Sequence, residues 1–300
     1  MNFDEEIRVR VCRIEDVLKK YLPPESGLQK TVLEAMNYAV NAGGKRLRPM
    51  LMSECAALFG GAPKKLLEPF MAAIEMIHTY SLIHDDLPAL DNDDYRRGRK
   101  TTHVVYGEAM AILAGDGLLN YAYETAAKAL MAAGSSELPA AAKAMAVLAQ
   151  KPGIYGMIGG QVVDVERTGQ PLEADVLNFI YTNKTSALIQ CAMMIGAILA
   201  GAEQKAVAAV ESAADKIGIA FQIQDDILDV TGSPETLGKP VGSDEKNEKT
   251  TYVTLMGPEA AGRRVSELSM EALGILEDMG LSEKNPFLKR LILWLIHRNK

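Results

Sequence analysis

Cysteine and aromatic residues are scarce in this 300-residue sequence, which holds three cysteines and only 6% Phe, Trp and Tyr. The cysteines, Cys12, Cys55 and Cys191, are odd in number and far apart, so they do not indicate the disulfide framework of a small secreted protein. We therefore expect free thiols and a cytoplasmic location. Residues 1–6 are acidic and lack the apolar core of a signal peptide.

Long apolar runs and an excess of positive charge are also missing. The longest uncharged apolar run, residues 191–202, is shorter than the ~20 residues that a transmembrane helix needs. The formal net charge of -7 argues against general binding to nucleic acid. We therefore expect neither a membrane span nor a nucleic-acid partner.

Apolar residues make up 48% of the sequence, with Ala, Leu, Ile and Met prominent among them. This composition favours helices packed on helices, and no run alternates long enough to indicate a strand. No linker is evident, so we expect one domain over residues 1–300. We predict an all-α fold with helices near residues 4–21, 26–43, 51–59, 64–86, 107–132, 137–150, 154–168, 173–200, 204–230, 258–279 and 285–297.

A group of carboxylates ends the apolar segment 216–230. Its polar side chains follow the helical spacing i, i+3, i+4 and i+7, which is one stripe of a helix: Gln222, Asp225, Asp226 and Asp229. A helix that is apolar elsewhere is normally buried, and buried carboxylates must be paired, protonated or bound to metal. Their oxygens suit magnesium, which binds through a few carboxylates together with substrate phosphates.

A second group of carboxylates ends the apolar run 66–83, where residues 85–91 read DDLPALD. Asp85 and Asp91 are six residues apart, so a straight helix would point them to different sides. Pro88 disfavours continuation of the helix. We therefore expect a turn after Asp86 that brings Asp91 back beside Asp85.

Two sets of cations accompany the two groups of aspartates. One set is Lys45, Arg48 and Arg97, and the other is Arg96, Lys184, Lys239 and Lys249. Arg binds phosphate through paired hydrogen bonds and Lys acts as a point charge. An enzyme that held two diphosphates would need both sets: one diphosphate neutralised by metal so that it can leave, the other held and kept. The polar segment 231–252 has the composition of a functional loop, such as a lid over phosphates.

Each feature also has a simpler interpretation when it is taken alone. Residues 91–99 could be a solvated charged loop, and an EF-hand calcium loop is disfavoured because Tyr95 and Arg96 stand where that pattern needs an acidic or amide residue and glycine. His78 could be an ordinary core histidine. The glycine pair at 159–160 could serve only to let two helices pack closely.

In one order and spacing, however, these motifs resemble those of the trans-isoprenyl diphosphate synthase family, and within it the bacterial farnesyl diphosphate synthases. The matching segments span roughly residues 40 to 252 and are 43–49 (GGKRLRP), His78, 85–97, 160–164, 184–185, 221–229 and 238–249. The resemblance implies an all-α isoprenoid synthase fold, with about ten or more helices around a deep central cavity, usually as a homodimer.

The resemblance further implies a reaction. Isopentenyl diphosphate would condense head to tail with dimethylallyl and geranyl diphosphates, giving farnesyl diphosphate (C15) and pyrophosphate. Magnesium would assist ionisation of the allylic substrate, with three ions in each active site that arrive in part with the allylic diphosphate.

The resemblance also assigns residues to roles. The metal set is Asp85, Asp86, Asp91, Asp225, Asp226 and Asp229, with support from Asp244. The allylic diphosphate set is Arg96, Lys184, Thr185, Gln222, Lys239 and Lys249. The isopentenyl diphosphate set is Lys45, Arg48, His78 and Arg97. The catalytic set is Lys184, Thr185, Gln222, Asp85 and Asp225.

The residue that bears on product length is Tyr80. It lies five residues before Asp85, about 7–8 Å deeper along the helix beside which the hydrocarbon tail should run. The resemblance implies that a bulky aromatic residue at this position closes the bottom of the cavity and stops growth of the hydrocarbon chain at C15. Relatives with a smaller residue at this position tend to make C20. Ser81 leaves the adjacent position open. Three alternatives stay open: a geranylgeranyl (C20) diphosphate synthase, a non-catalytic relative that binds prenyl diphosphates, and a terpene cyclase, which would not need Lys45 and Arg48.

Overall fold

The computed structural model describes residues 2–231 and 250–297, and this part of the chain is almost entirely helical. Its α-helices, in chain order, are α1 (Phe3–Tyr21), α2 (Lys30–Val40), α3 (Leu47–Leu58), α4 (Lys64–Asp85), α5 (Thr102–Tyr106), α6 (Glu108–Met131), α7 (Leu138–Gln150), α8 (Met157–Glu166), α9 (Ala174–Ile180), α10 (Ala187–Leu199), α11 (Gln204–Thr231), α12 (Tyr252–Met256), α13 (Pro258–Glu277), α14 (Leu281–Lys284) and α15 (Pro286–His297). The predicted all-α class is confirmed. Lys239, Asp244 and Lys249 lie outside the described residues.

Two irregular pieces interrupt the helices where the sequence did not predict them. A π-helical turn, Tyr181–Ser186, joins α9 directly to α10 inside the predicted helix 173–200. The predicted loop 91–103 contains two short antiparallel strands, β1 (Tyr95–Arg96) and β2 (Arg99–Lys100). Arg97 and Gly98 between these strands both have positive φ, 54° and 74°, as two-residue hairpin turns of type I′ require.

Local signals explain where the first helices begin and end. The Asn2 side chain accepts from the Glu5 amide at 2.9 Å, and the Glu5 carboxylate accepts from the Asn2 amide at 3.0 Å, a capping box that starts α1. The prediction that the second helix starts at Ser26 is wrong. Gly27 takes a φ of +84°, which no helix contains, and α2 begins at Lys30.

The centre of the fold consists of α4, α10 and α11. Every residue of α10 is buried, and this helix packs against α3, α4, α7 and α11. At Gly196 an added Cβ would lie 2.2 Å from the carbonyl oxygen of Met52, so the α10 and α3 backbones meet directly. The C-terminal ends of α4 and α11 carry the two predicted aspartate groups, which the core therefore fixes in place.

None of the helices in residues 2–231 and 250–297 combines the length and the apolar character that a membrane span requires.

Candidate active site

The end of α4 turns back on itself. The Asp91 amide donates to the carbonyl oxygen of Asp85 at 2.8 Å, and the Asp93 amide donates to that of Asp86 at 3.2 Å. Asn92 completes the reversal with a φ of 53°, a conformation that Asn tolerates better than most residues. The turn expected from Pro88 is confirmed, and it brings Asp91 beside Asp85.

Arg96 and Asp86 connect the β-ribbon to this turn. Asp86 is buried, and its Oδ1 accepts from Arg96 Nε at 2.7 Å and lies 2.5 Å from a terminal guanidinium nitrogen. Burial raises the pKa of the Asp86 carboxyl, and the Arg96 guanidinium opposes that rise. The pair therefore holds the ribbon against the carboxylates at the end of α4.

Arg97, the next residue, extends toward a different loop. Its Nη1 donates to the carbonyl oxygen of Gly43. At Gly44, with a φ of +132°, an added Cβ would lie 2.6 Å from Arg97 Cζ. The positive φ favours glycine at this position, and the Arg97 guanidinium packs closely over it. Lys45, which follows, places its Nζ 5.5 Å from the ring centre of Trp294 in α15.

Arg48 and His78 complete this second cationic set. Burial lowers the pKa of Arg48 to about 10, and the Glu75 carboxylate opposes the shift, so the guanidinium stays charged near neutral pH. Burial lowers the pKa of His78 well below its ordinary value, and the nearby Arg48 and Arg97 lower it further. His78 is therefore a neutral imidazole among guanidinium groups.

Arg46 is a structural cation that the local sequence does not distinguish from Lys45 and Arg48. It is 3% exposed, its Nη1 lies 2.9 Å from Glu75 Oε1, and its Nη2 donates to the Val40 carbonyl at 2.7 Å. Arg46 also has a positive φ of 47°. This buried ion pair anchors the loop of residues 43–46 on α4, so Arg46 has a structural role that Lys45 and Arg48 do not share. Loss of one partner from such a pair costs about 3–5 kcal/mol.

On α11 the carboxylates join a chain of hydrogen bonds to the π-helical turn. Thr185 Oγ1 donates to Gln222 Oε1 at 2.8 Å, and Gln222 Nε2 donates to Asp226 Oδ1 at 3.1 Å. The Tyr181 hydroxyl donates to the other oxygen of Asp226. Asp226 and Asp229 are both 2% exposed. Tyr181 could not be predicted as a site residue, because nothing in its local sequence indicates a hydrogen bond to a carboxylate 45 residues away.

Helix α8 connects the aspartate group at the end of α4 to the π-helical turn. Gln161 Nε2 donates to Asp85 Oδ1 at 3.0 Å, and Asp164 Oδ2 lies 2.6 Å from Lys184 Nζ. An added Cβ at Gly160 would lie 2.2 Å from the Lys184 amide nitrogen, so α8 and the π-helical turn touch through their backbones. The motif of Gly160, Gln161 and Asp164 therefore spans the site.

Tyr80 lies deeper along α4, as its spacing predicts. Its hydroxyl is buried without a hydrogen-bond partner, and burial raises the pKa of that hydroxyl to about 12. The ring meets that of His84 edge to face, with centroids 5.8 Å apart. Tyr123 of α6 also interacts with it. The Ser81 hydroxyl donates a hydrogen bond to the His78 carbonyl at 2.9 Å and is therefore satisfied within α4.

The donor set is compatible with magnesium that is shared with a ligand. Within residues 2–231 and 250–297, no three His, Cys, Asp or Glu side chains cluster into a ready-made metal site. The aspartates instead form two groups on α4 and α11, and Arg48 lies close enough to Asp225 for their charges to interact. Oxygen ligands from few carboxylates, completed by phosphate, are the usual magnesium environment.

Comparison with known proteins gives one consistent result. Residues 29–277 match the family model described as polyprenyl synthetase. The chain is 40% identical to the farnesyl diphosphate synthase of Escherichia coli strain K12, over 100% of both chains. It is 43% identical to a geranylgeranyl diphosphate synthase of Cyanophora paradoxa, over 86% of this chain and 85% of that protein.

A solved structure agrees in fold. The crystal structure of a geranyltransferase from Helicobacter pylori, complexed with magnesium and isoprenyl diphosphate, superposes with a TM-score of 0.82 at 31% identity. The match covers 99% of this chain and 97% of that one.

Proposed function

Because the chain belongs to the polyprenyl synthetase family, we propose that it condenses isopentenyl diphosphate with dimethylallyl and then geranyl diphosphate, giving farnesyl diphosphate and pyrophosphate. One observation carries the proposal: the chain presents two groups of aspartates on α4 and α11 and, separately, a cationic set around Gly43 and Gly44. Two anionic substrates of different fate need two such environments.

The allylic diphosphate is assigned to the aspartate side. Magnesium, three ions in our proposal, would be held by the two aspartate groups and would neutralise the leaving diphosphate when bound. Arg96 and Lys184, each now paired with a carboxylate, would add hydrogen bonds to the same diphosphate, together with Lys239 and Lys249. Asp226 orients its neighbours as well as adding charge, since both its oxygens accept hydrogen bonds from Tyr181 and Gln222.

Thr185 and Gln222 would stabilise the allylic cation. Thr185 donates its proton to the Gln222 carbonyl, which leaves lone pairs of the Thr185 oxygen available to a positive charge. Such fixed dipoles stabilise charge in a transition state because they need not reorient when it forms. The proton lost after condensation would pass to the released pyrophosphate, and apolar side chains around the site would exclude water.

Isopentenyl diphosphate is assigned to Lys45, Arg48, His78 and Arg97. No metal is needed there, because this diphosphate is kept through the reaction. Arg48 and Arg97 supply charge, and the neutral imidazole of His78 can donate one hydrogen bond without adding a further cation. In the proposed reaction the double bond of this substrate would face the allylic carbon.

Tyr80 favours C15 as the main product. The buried aromatic ring of Tyr80 lies five residues before Asp85 in α4 and packs against the His84 ring, which fits a floor for the hydrocarbon tail. Geranylgeranyl diphosphate (C20) is the second candidate, since relatives of both product classes have similar identity to this chain.

We also propose a homodimer of single-domain subunits. Apolar residues stay exposed on the outer face of α8, at Ile158, Val162 and Val165, and on α6, at Ile112 and Leu113.

The buried apolar residues from α1 to α15 form one connected core, which supports one domain over residues 1–300. The three cysteines are free thiols, as a cytoplasmic location would require. Light scattering on the purified protein tests the dimer.

Product analysis tests the reaction. The protein would be incubated with magnesium, isopentenyl diphosphate and either dimethylallyl or geranyl diphosphate, and the dephosphorylated products separated by chain length. We expect a dominant C15 alcohol from both starters. A dominant C20 alcohol would support the second candidate, and the absence of any condensation by folded protein would favour a binding protein without activity or a cyclase.

A further inference from the structure

The π-helical turn Tyr181–Ser186 carries Lys184 and Thr185, and so holds two groups assigned to the allylic substrate. A π-turn inserts an extra residue into a helix, is rare, and is common at functional sites. On the side that faces the substrate groups, Tyr181, Lys184 and Thr185 hold the turn through their contacts with α8 and α11. Its last residue, Ser186, is 0% exposed and makes its contacts at the back.

At the back, α11 approaches the π-turn closely. An added Cβ at Gly218 would lie 2.4 Å from both Cβ and Oγ of Ser186. Ser186 Oγ donates to the carbonyl oxygen of Asp215 at 3.1 Å. Since Gly160 makes an equally close contact on the side of α8, the π-turn is clamped between two glycines. A shift of Ser186 would therefore move Lys184 and Thr185 as well.

A chain of hydrogen-bonded polar groups leads from the buried Ser186 away from the substrate groups. Gln190, one turn later in α10, is 5% exposed, and its Nε2 lies 3.2 Å from Ser186 Oγ and 2.8 Å from Asp215 Oδ1. Its Oε1 accepts from Lys151 Nζ. Lys151, at the end of α7, pairs with Glu211 of α11 at 2.6 Å.

Gln190 occupies the middle of this chain, where a single amide satisfies partners on both sides. Its NH2 group serves Ser186 and Asp215, and its carbonyl serves Lys151. A buried polar group left without its partner costs about 1–3 kcal/mol, so each link restricts the next. The chain therefore fixes the distance between the first turn of α10 and α11, which is where the π-turn ends.

We propose that Gln190 is a positioning residue for the allylic half of the reaction: with Lys151 and Asp215 it holds Ser186, and through the π-turn it sets where Lys184 and Thr185 stand relative to Gln222. This inference rests on the proposed function. It assigns no contact between Gln190 and substrate, so its effect belongs to ionisation of the allylic diphosphate and not to binding of isopentenyl diphosphate.

The test substitutes Gln190→Met, which keeps the length of the side chain and removes its hydrogen bonds. We expect kcat with geranyl diphosphate to fall roughly tenfold or more, since small displacements of reacting groups can cost up to about 100-fold. The KM for isopentenyl diphosphate should change by less than about twofold. Ile195→Val is the control, because it truncates a fully buried side chain of α10 outside the polar chain, and its kcat should stay near wild type.

A second variant, Thr185→Val, distinguishes a positioning role of Gln190 from a general loss of packing. In Thr185→Val protein, Gln190→Met should lower kcat by a smaller factor than in wild type, because one of the groups it positions is already gone. An equal fall in both backgrounds, an unchanged kcat, or a rise in the KM for both substrates would overturn the proposal. If Gln190→Met does not fold, Ser186→Ala takes the same measurements. Wild-type protein that makes no product would instead refute the proposed function.

Discussion

At the scale of single residues, Tyr80 combines a buried aromatic ring with a hydroxyl that has no hydrogen-bond partner. We predict that Tyr80→Ala lengthens the product from C15 toward C20, because removal of the ring opens space below Asp85. Chromatography of the dephosphorylated products measures the change. Tyr80→Phe is the matched control: it keeps the ring, should keep C15, and should not lower stability, since an unsatisfied buried hydroxyl is lost. An unchanged C15 product from Tyr80→Ala would remove Tyr80 from this role.

His78 gives a prediction about pH. Its pKa is lowered in the folded protein, so the unfolded chain takes up a proton first as the pH falls below about 6.5. The free energy of unfolding should therefore decrease between about pH 7.5 and pH 5.5, with a contribution from His78 of at most about 1.4 kcal/mol per pH unit. Urea unfolding across this range checks it. His78→Gln should show a shallower pH dependence, and an unaltered slope would contradict the assignment.

Most of the single residues could be predicted from the sequence, since carboxylates at helical spacing and cations near glycines have recognisable patterns. Arg46 could not be separated from Lys45 and Arg48, because all three are cations within four positions. Only its ion pair with Glu75, 29 residues away, distinguishes the anchor from its neighbours. Such pairing is a tertiary property that the local sequence does not carry.

At the scale of helices, two glycines that both lie within helices, Gly160 of α8 and Gly274 of α13, should respond in opposite ways to alanine. In Gly160→Ala the new Cβ would meet the Lys184 backbone at 2.2 Å, so we predict a loss of about 1–3 kcal/mol in stability and a clear fall in kcat. In Gly274→Ala on α13 nothing lies within 4 Å of the new Cβ, so stability should rise by about 0.5–1 kcal/mol with unchanged kinetics.

Chemical unfolding and steady-state kinetics on both glycine variants give the comparison. Wild-type kinetics in Gly160→Ala would mean that contact between α8 and the π-turn is unimportant for the reaction. The π-turn itself could not be predicted, because the polar residues 182–186 (TNKTS) suit an α-helical turn as well as a π-helical one. Its extra residue is compensated by contacts with Gly160 and Gly218, which are distant in the chain.

At the scale of the whole molecule, the two ends of the described chain meet beside the isopentenyl set. Arg290 of α15 pairs with Glu6 of α1 at 2.7 Å, and the Arg10 guanidinium lies 3.4 Å from the centre of the Phe287 ring. Helix α15 thereby holds Trp294 against Lys45. The all-α class followed from composition and from the lack of alternating runs, but this closure joins residues 284 positions apart and has no sequence signature.

We predict that Trp294→Leu raises the KM for isopentenyl diphosphate about two- to fivefold, the equivalent of about 0.5–1 kcal/mol for an exposed cation–π contact. The KM for geranyl diphosphate should not change. Phe287→Leu is the control, since it weakens the contact of α15 with α1 and leaves Lys45 beside the indole. If both variants raise the KM equally, the helix as a whole matters and not the indole ring.

The small β-ribbon has a consequence for how this chain can vary. Arg96 pairs with Asp86 and Arg97 with Gly43, so in the proposed reaction these adjacent residues would serve different substrates. Inserting or deleting one residue between Asp91 and Arg96 would change the partner of both arginines in a single event. The length of this segment therefore constrains how the chain can vary, and a library designed for new substrates should keep the number of residues from 85 to 97 constant.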